Sequence, residues 1–170
     1  MINIFNRVIS NKEKNILLDW VYENESKFVV NDAGPARKFY SFVDDPTLPE
    51  LFWDVKKRII KKEKVKPLNQ PILLNNGYLM KDYIGWVSEG GHIHPHKDPL
   101  QDLLCQHVRY NLFLSVPKKG GIPIYNGERL RFKMRERGYL RCNSGNEVHG
   151  CDFVQGSKPR IVISYGLVLP

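Results

Sequence analysis

From residue 70 to its end, the chain is a succession of short apolar or alternating runs cut apart by glycine, proline and asparagine: ILL (72–74), GYLMKDYIGW (77–86), HVRYNLFLSV (107–116), GIPIYN (121–126), RLRFKM (129–134), YLRC (139–142) and RIVISYGLVL (160–169). Such punctuation predicts short strands joined by turns. Asn126-Gly127 adds a hairpin signal, because its residues accept the positive φ that a tight two-residue turn demands. The strands do not alternate with helical segments, so a parallel sheet is excluded, and no glycine-rich phosphate loop is present.

Before residue 70 the periodicity is helical. Ile16, Leu17, Trp20 and Val21 recur at three- and four-residue intervals between Asn11 and Asn24, with Ser10 or Asn11 available as a cap. After Asp45-Pro46-Thr47, the stretch LPELFWDVKKRIIKK carries an apolar stripe of Leu51, Phe52, Val55, Ile59 and Ile60, with lysines covering the remainder. Helices followed by about eight strands predict an α+β fold that is mainly β, a double-layered antiparallel sheet of the jelly-roll barrel kind with the helices packed on one side. A length of 170 residues with 42% hydrophobic composition suits a single domain over 1–170, in which 1–70 is helical support and 71–170 the β core.

Composition narrows the setting. The first residues lack a secretory pattern and no apolar run approaches the roughly 20 residues that span a bilayer, so the expectation is a soluble cytoplasmic protein with no membrane partner. Cys105, Cys142 and Cys151 are an odd number without CxxC spacing, which argues for reduced thiols and against a disulfide framework or a zinc knuckle. The net charge of +8 is concentrated in KKRIIKKEKVK (56–66) and in Arg129, Arg131, Lys133, Arg135 and Arg137. The second group alternates with Leu130, Phe132 and Met134, as in a strand with one apolar and one basic face. Solvent is the ordinary neighbour of such a face; phosphate is the other.

The stretch GGHIHPHKDP (90–99) sets His92, His94, His96 and Asp98 on alternate positions. In extended chain, residues i and i+2 face the same side about 6 to 7 Å apart, so His96 and Asp98 can turn toward one ion. A third ligand has to come from a distant strand, and His149 in NEVHG is the candidate. Two imidazoles and a carboxylate on one face of Fe(II) leave positions open for co-substrate and dioxygen. On its own the pair is equally compatible with a polar loop bearing surface histidines. Arg160 adds weight. It opens an alternating segment eleven residues after His149, and an arginine carried into a barrel interior needs an anion, which its planar fork meets with two parallel hydrogen bonds. A dicarboxylic co-substrate would satisfy both ends.

In this order, His96-x-Asp98, His149 and then Arg160 resemble the motif of the iron(II)/2-oxoglutarate-dependent oxygenases, over roughly residues 78 to 169. HIHPHKDP before VRYNLFLSVP, and EVHG before PRIVISYGLVLP, are similar to the aspartyl/asparaginyl β-hydroxylase branch; VRYNLFLS and GGIPIYNG are similar to the prolyl-hydroxylase-like branch. The resemblance implies a double-stranded β-helix in which His96, Asp98 and His149 hold Fe(II) and Arg160 grips the far carboxylate of 2-oxoglutarate. It implies a second carboxylate contact at Arg109, for which a salt bridge at a strand start is an equal alternative, and pocket-lining roles for Asn111, Tyr83 and Ser164. The implied reaction consumes 2-oxoglutarate and O2, hydroxylates a C–H bond of an amino acid, peptide or other small substrate, and releases succinate and CO2.

Two alternatives stand beside this one. A cupin-type metal site would use His94 with His96, but it wants a glutamate shortly after, where Leu100 and Gln101 stand. A non-catalytic basic module would bind nucleic acid through the cation clusters and through aromatics such as Tyr40, Phe42 and Tyr125. Nucleic acid is the less favoured partner: the nucleic-acid demethylase branch carries a second arginine soon after the first, and RIVISYG (160–166) lacks it.

Overall fold

The longest apolar run becomes the strand around which the others assemble. The computed structural model describes residues 4–5, 7–30, 34–42, 45–68, 82–99, 105–130 and 134–170. In chain order these hold β1 (Ile4–Phe5), α1 (Asn11–Glu23), β2 (Val29–Val30), β3 (Arg37–Ser41), α2 (Leu51–Glu63), β4 (Tyr83–Val87), β5 (Ile93–His96), β6 (Gln106–Ser115), β7 (Lys119–Gly120), β8 (Pro123–Tyr125), β9 (Glu128–Arg129), β10 (Tyr139–Cys142), β11 (His149–Cys151), β12 (Val154–Gln155) and β13 (Arg160–Leu169). β13 pairs antiparallel with β6 over most of its length and with β4 over Arg160–Ser164. A seven-stranded sheet results, in the order β1-β10-β6-β13-β4-β3-β2; a second sheet runs β5-β11-β8-β9, and β7 pairs with β12. The protein is mainly β, with two helices and antiparallel sheets, as the sequence predicts.

Alternation divides the large sheet into two functions. Val108, Tyr110, Leu112 and Leu114 of β6, Ile161, Ile163, Tyr165, Leu167 and Leu169 of β13, and Ile84 and Trp86 of β4 form one buried cluster with Leu17, Trp20 and Val21 of α1 and Phe52, Val55 and Ile59 of α2. Each of these large side chains contributes about 1.5–3 kcal/mol by leaving water. The residues of opposite parity, Tyr83, Val87, Arg109, Asn111, Arg160 and Val162, face a cleft whose other wall is the small sheet.

The helices start and stop for local reasons. Ser10 Oγ accepts from the Glu13 N–H and Glu13 returns a bond to the Ser10 N–H, a capping box. α2 begins at Leu51, later than the stretch from Leu48 predicted, because Asp45 first closes a turn on Thr47. Several sequence expectations meet different outcomes. The segment ILL (72–74) and residues 77–81 and 131–133 lie outside the described residues. The first 70 residues supply β1, β2 and β3 as well as helices. Tyr40, Phe42 and Tyr125 are not the exposed aromatics that a nucleic-acid surface needs: Phe42 and Tyr125 are buried and Tyr40 is half-buried against the core. No helix among the described residues is long and apolar enough to cross a membrane.

Glu136 ties the layers together. It accepts from Lys14 of α1, from Lys158 just before β13 and from the Val116 N–H. Burial raises its pKa, but these cations and the amide outweigh that and bring it down to about 2 from 4.5. Its folded pKa is depressed, so its contribution is complete above pH 4.5 and is lost as pH falls toward 2. Glu136→Gln is expected to cost about 1 kcal/mol at pH 7 and to flatten the acid limb of stability against pH, as read by urea unfolding. An unchanged acid limb would contradict this assignment.

Candidate metal centre and cleft

The ends of two short strands set the centre. β5 and β11 pair so that His96 stands directly across from His149, and the two rings lie 4.4 Å apart between centroids. The strands can approach this closely because residue 150 is glycine: a Cβ there would sit 2.6 Å from the Ile93 carbonyl oxygen. The ladder then slips, so that Cys151 opposes Ile93. That irregularity breaks the alternation seen in the sequence. Ile93 and His96 both line the cleft, whereas His94 is exposed and its ring meets His92, Nδ1 to Nε2, at 3.1 Å.

Asp98 completes the group from just beyond β5. Its Oδ1 lies 3.6 Å from Nε2 of His96 and 3.6 Å from Nε2 of His149, and the ligand atoms of the three residues fall within 4.8 Å of one another. The outer nitrogens fix the tautomers. His96 Nδ1 is 2.7 Å from the His94 carbonyl oxygen and His149 Nδ1 is 3.0 Å from that of Glu147. A carbonyl can only accept, so each Nδ1 carries the hydrogen and each Nε2 points a lone pair inward. Two lone pairs and a carboxylate oxygen converge with no donor among them, an arrangement that a cation relieves. An ion about 2.1 Å from each donor would hold neighbouring donors about 3 Å apart, so binding would draw the Asp98 oxygen and the two imidazoles inward from the present 3.6 Å. The donor set of two imidazoles and one carboxylate therefore fits an Fe(II)-type centre with open positions.

Charge around the trio is arranged to keep Asp98 ionised. Burial opposes this, but the His96 imidazole and the Arg109 guanidinium hold its carboxyl far below the usual range. The Asp98 carboxylate in turn raises His96, while burial lowers His149. His107, buried beside Arg109, is pushed down to about 4, chiefly by burial.

The cleft encloses about 540 Å³ including its solvent-filled mouth, and it holds His96 and His149 together with Arg160. Arg160 is 7% exposed, its guanidinium lies 5.3 Å from the Phe113 ring centroid, and its Nε has no hydrogen-bond partner among the described residues. The Ser164 hydroxyl, four residues further along β13, is likewise buried without a partner among them. A buried cation and a buried hydroxyl, each without a partner, are costly, and for the cation an anion is the remedy. Asn111 Nδ2 donates to the Tyr125 hydroxyl at 3.5 Å, and the Tyr125 ring stacks on His149.

No protein-family model and no curated protein matches the sequence. Solved structures do. A prolyl hydroxylase from Trichoplax adhaerens, in complex with a peptide fragment of the hypoxia inducible factor oxygen degradation domain, superposes with a TM-score of 0.71 at 13% identity, covering 99% of this chain and 83% of that one. The viral collagen prolyl hydroxylase of Paramecium Bursaria Chlorella virus-1, in its 2-oxoglutarate complex, gives 0.68 at 12% identity over 99% and 96%. HygX from Streptomyces hygroscopicus, with nickel and 2-oxoglutarate bound, gives 0.67 at 15% identity over 99% and 82%. The chain has the prolyl hydroxylase fold.

Within this prolyl hydroxylase fold the sequence-derived residues separate cleanly. His96, Asp98 and His149 meet; Arg160, Arg109, Asn111 and Tyr83 line the same cleft, and Ser164 shares the inward parity of β13. Arg109 donates through Nε to Asp98 at 2.7 Å and lies 4.8 Å over the Tyr83 ring, so the salt-bridge alternative is realised. Arg37 and Tyr125 also line the cleft and were missed as site residues. No periodicity in RKFYS (37–41) marks the first, whereas the hairpin position of Tyr125, paired across from His149, was an available signal for the second. Asp98→Ala should leave Arg109 buried beside an uncompensated gap and lower the unfolding free energy by about 3 kcal/mol in metal-free protein. A loss under about 1 kcal/mol in urea unfolding would mean that the pair is effectively solvated.

Proposed function

We propose that the protein is an Fe(II)/2-oxoglutarate-dependent oxygenase that hydroxylates an unactivated C–H bond of an amino acid, peptide or other small substrate. On this reading the chain is one domain, with residues 71–170 as a double-stranded β-helix and the N-terminal part supporting it. The observation that carries the proposal is the shared cleft: beside three convergent acceptors suited to a divalent ion, it is lined by a buried Arg160 suited to a carboxylate. The neighbouring folds bound to 2-oxoglutarate, and to nickel in HygX, support it by analogy.

His96, Asp98 and His149 would hold Fe(II), with the histidine Nδ1 hydrogens anchored on backbone carbonyls. Arg160 would receive the far carboxylate of 2-oxoglutarate in a bidentate pair, with Ser164 adding a hydroxyl and Asn111 and Tyr83 shaping the walls. When bound, iron and 2-oxoglutarate supply oxygen activation, in which O2 is consumed, 2-oxoglutarate becomes succinate and CO2, and a C–H bond becomes C–OH. The protein's share is to keep ligands fixed, orient the co-substrate and limit water.

Anaerobic protein given Fe(II) and 2-oxoglutarate is expected to develop the weak visible charge-transfer band of the chelate, and to form succinate on admission of air. His96→Ala should abolish both. Arg160→Gln should raise the 2-oxoglutarate concentration for half-saturation by about 30-fold, the equivalent of about 2 kcal/mol for a desolvated charge pair. Succinate formation that survives His96→Ala would remove the proposed metal site.

A further inference from the structure

Of the three proposed ligands, Asp98 alone lies outside a strand, so its carboxylate depends on partners from elsewhere. Its N–H donates to the Ser144 carbonyl oxygen at 2.8 Å, which anchors the backbone only. The carboxylate itself is divided. Oδ1 lies 3.6 Å from each inward imidazole nitrogen, while Oδ2 accepts from Arg109 Nε at 2.7 Å and lies 3.9 Å from His107 Nε2. Residues 107 and 109 share one parity of β6, the longest strand besides β13, which is paired on both sides by β13 and β10. The guanidinium is itself braced by the Tyr83 ring across the cleft wall.

We infer that Arg109 is a positioning residue, which occupies Oδ2 of Asp98 so that Oδ1 alone is presented to the metal ion. A carboxylate with both oxygens available can clasp a cation through both and take up an additional coordination position. Holding one oxygen on a buried, stacked guanidinium prevents that rotation and keeps the position for co-substrate or dioxygen. The inference rests on the oxygenase reading of the trio. It gives Arg109 a role through Nε that differs from the second co-substrate contact the resemblance implies.

The test uses Co(II) as probe, without 2-oxoglutarate, on the whole protein and on its Arg109→Gln, Arg109→Lys and His96→Ala variants. Arg109→Gln should weaken Co(II) binding by about 10- to 100-fold, the usual consequence of losing a group that orients a ligand. It should also shift the Co(II) visible bands, as the freed carboxylate changes its mode of coordination. Arg109→Lys keeps the buried charge without the Nε hydrogen bond; it should fold with near-normal thermal stability and still show the altered bands. If both Arg109 variants bind within about two-fold of wild type with unchanged bands, the positioning role is overturned. If wild type and His96→Ala take up Co(II) alike, it is instead the metal reading of the trio that fails.

Discussion

The pairing of β5 with β11 is the constraint on which the site depends. Two short strands carry the two histidines to directly opposed positions, and they do so only because Gly150 lets one backbone lie against the other. Any side chain at 150 would press on the Ile93 carbonyl and drive the imidazoles apart. Asp98 then closes the triangle from outside the ladder, steered by Arg109 on the opposite sheet. Histidines from the small sheet, an aspartate just beyond it and an arginine from the large one thus make the centre a product of how the two sheets face each other.

The large sheet can afford a polar inner face because its outer face is so fully apolar. Helices α1 and α2 cover that outer side with Leu17, Val21, Phe52, Val55 and Ile59, and the gain from burying them offsets the cost of holding guanidinium groups within the cleft. Arg109 recovers part of that cost through Asp98 and Tyr83. Arg160 recovers less within the described residues, which makes its end of the cleft the place where an incoming anion gains most. Under the proposed reading, this difference between the two arginines separates a group that orients a ligand from a group that binds co-substrate.

Much of this was legible in the sequence, for physical reasons. The run RIVISYGLVL announced a buried strand because one parity had to meet a helix layer, and it occupies the predicted residues. His96, Asp98 and His149 were legible because metal ligation restricts residue type as well as spacing. Other features left no trace in periodicity. The strand Arg37–Ser41 has one parity on the cleft and the other against the helices, so polar and apolar residues do not alternate along it and its cleft-lining arginine went unread. The shared parity of His92, His94, His96 and Asp98 suggested one common direction, yet the slipped register in β5 turns His94 outward. A bulge is set by the partner strand, which a local pattern does not contain.

Where a divalent ion settles decides whether the three side chains form a metal centre. Anomalous diffraction from crystals soaked with Mn(II) measures this directly. The expected result is one strong peak about 2.0–2.3 Å from Nε2 of His96, Oδ1 of Asp98 and Nε2 of His149, with Asp98 bound through that oxygen alone. A peak at His92 and His94, or none near residue 149, would contradict it.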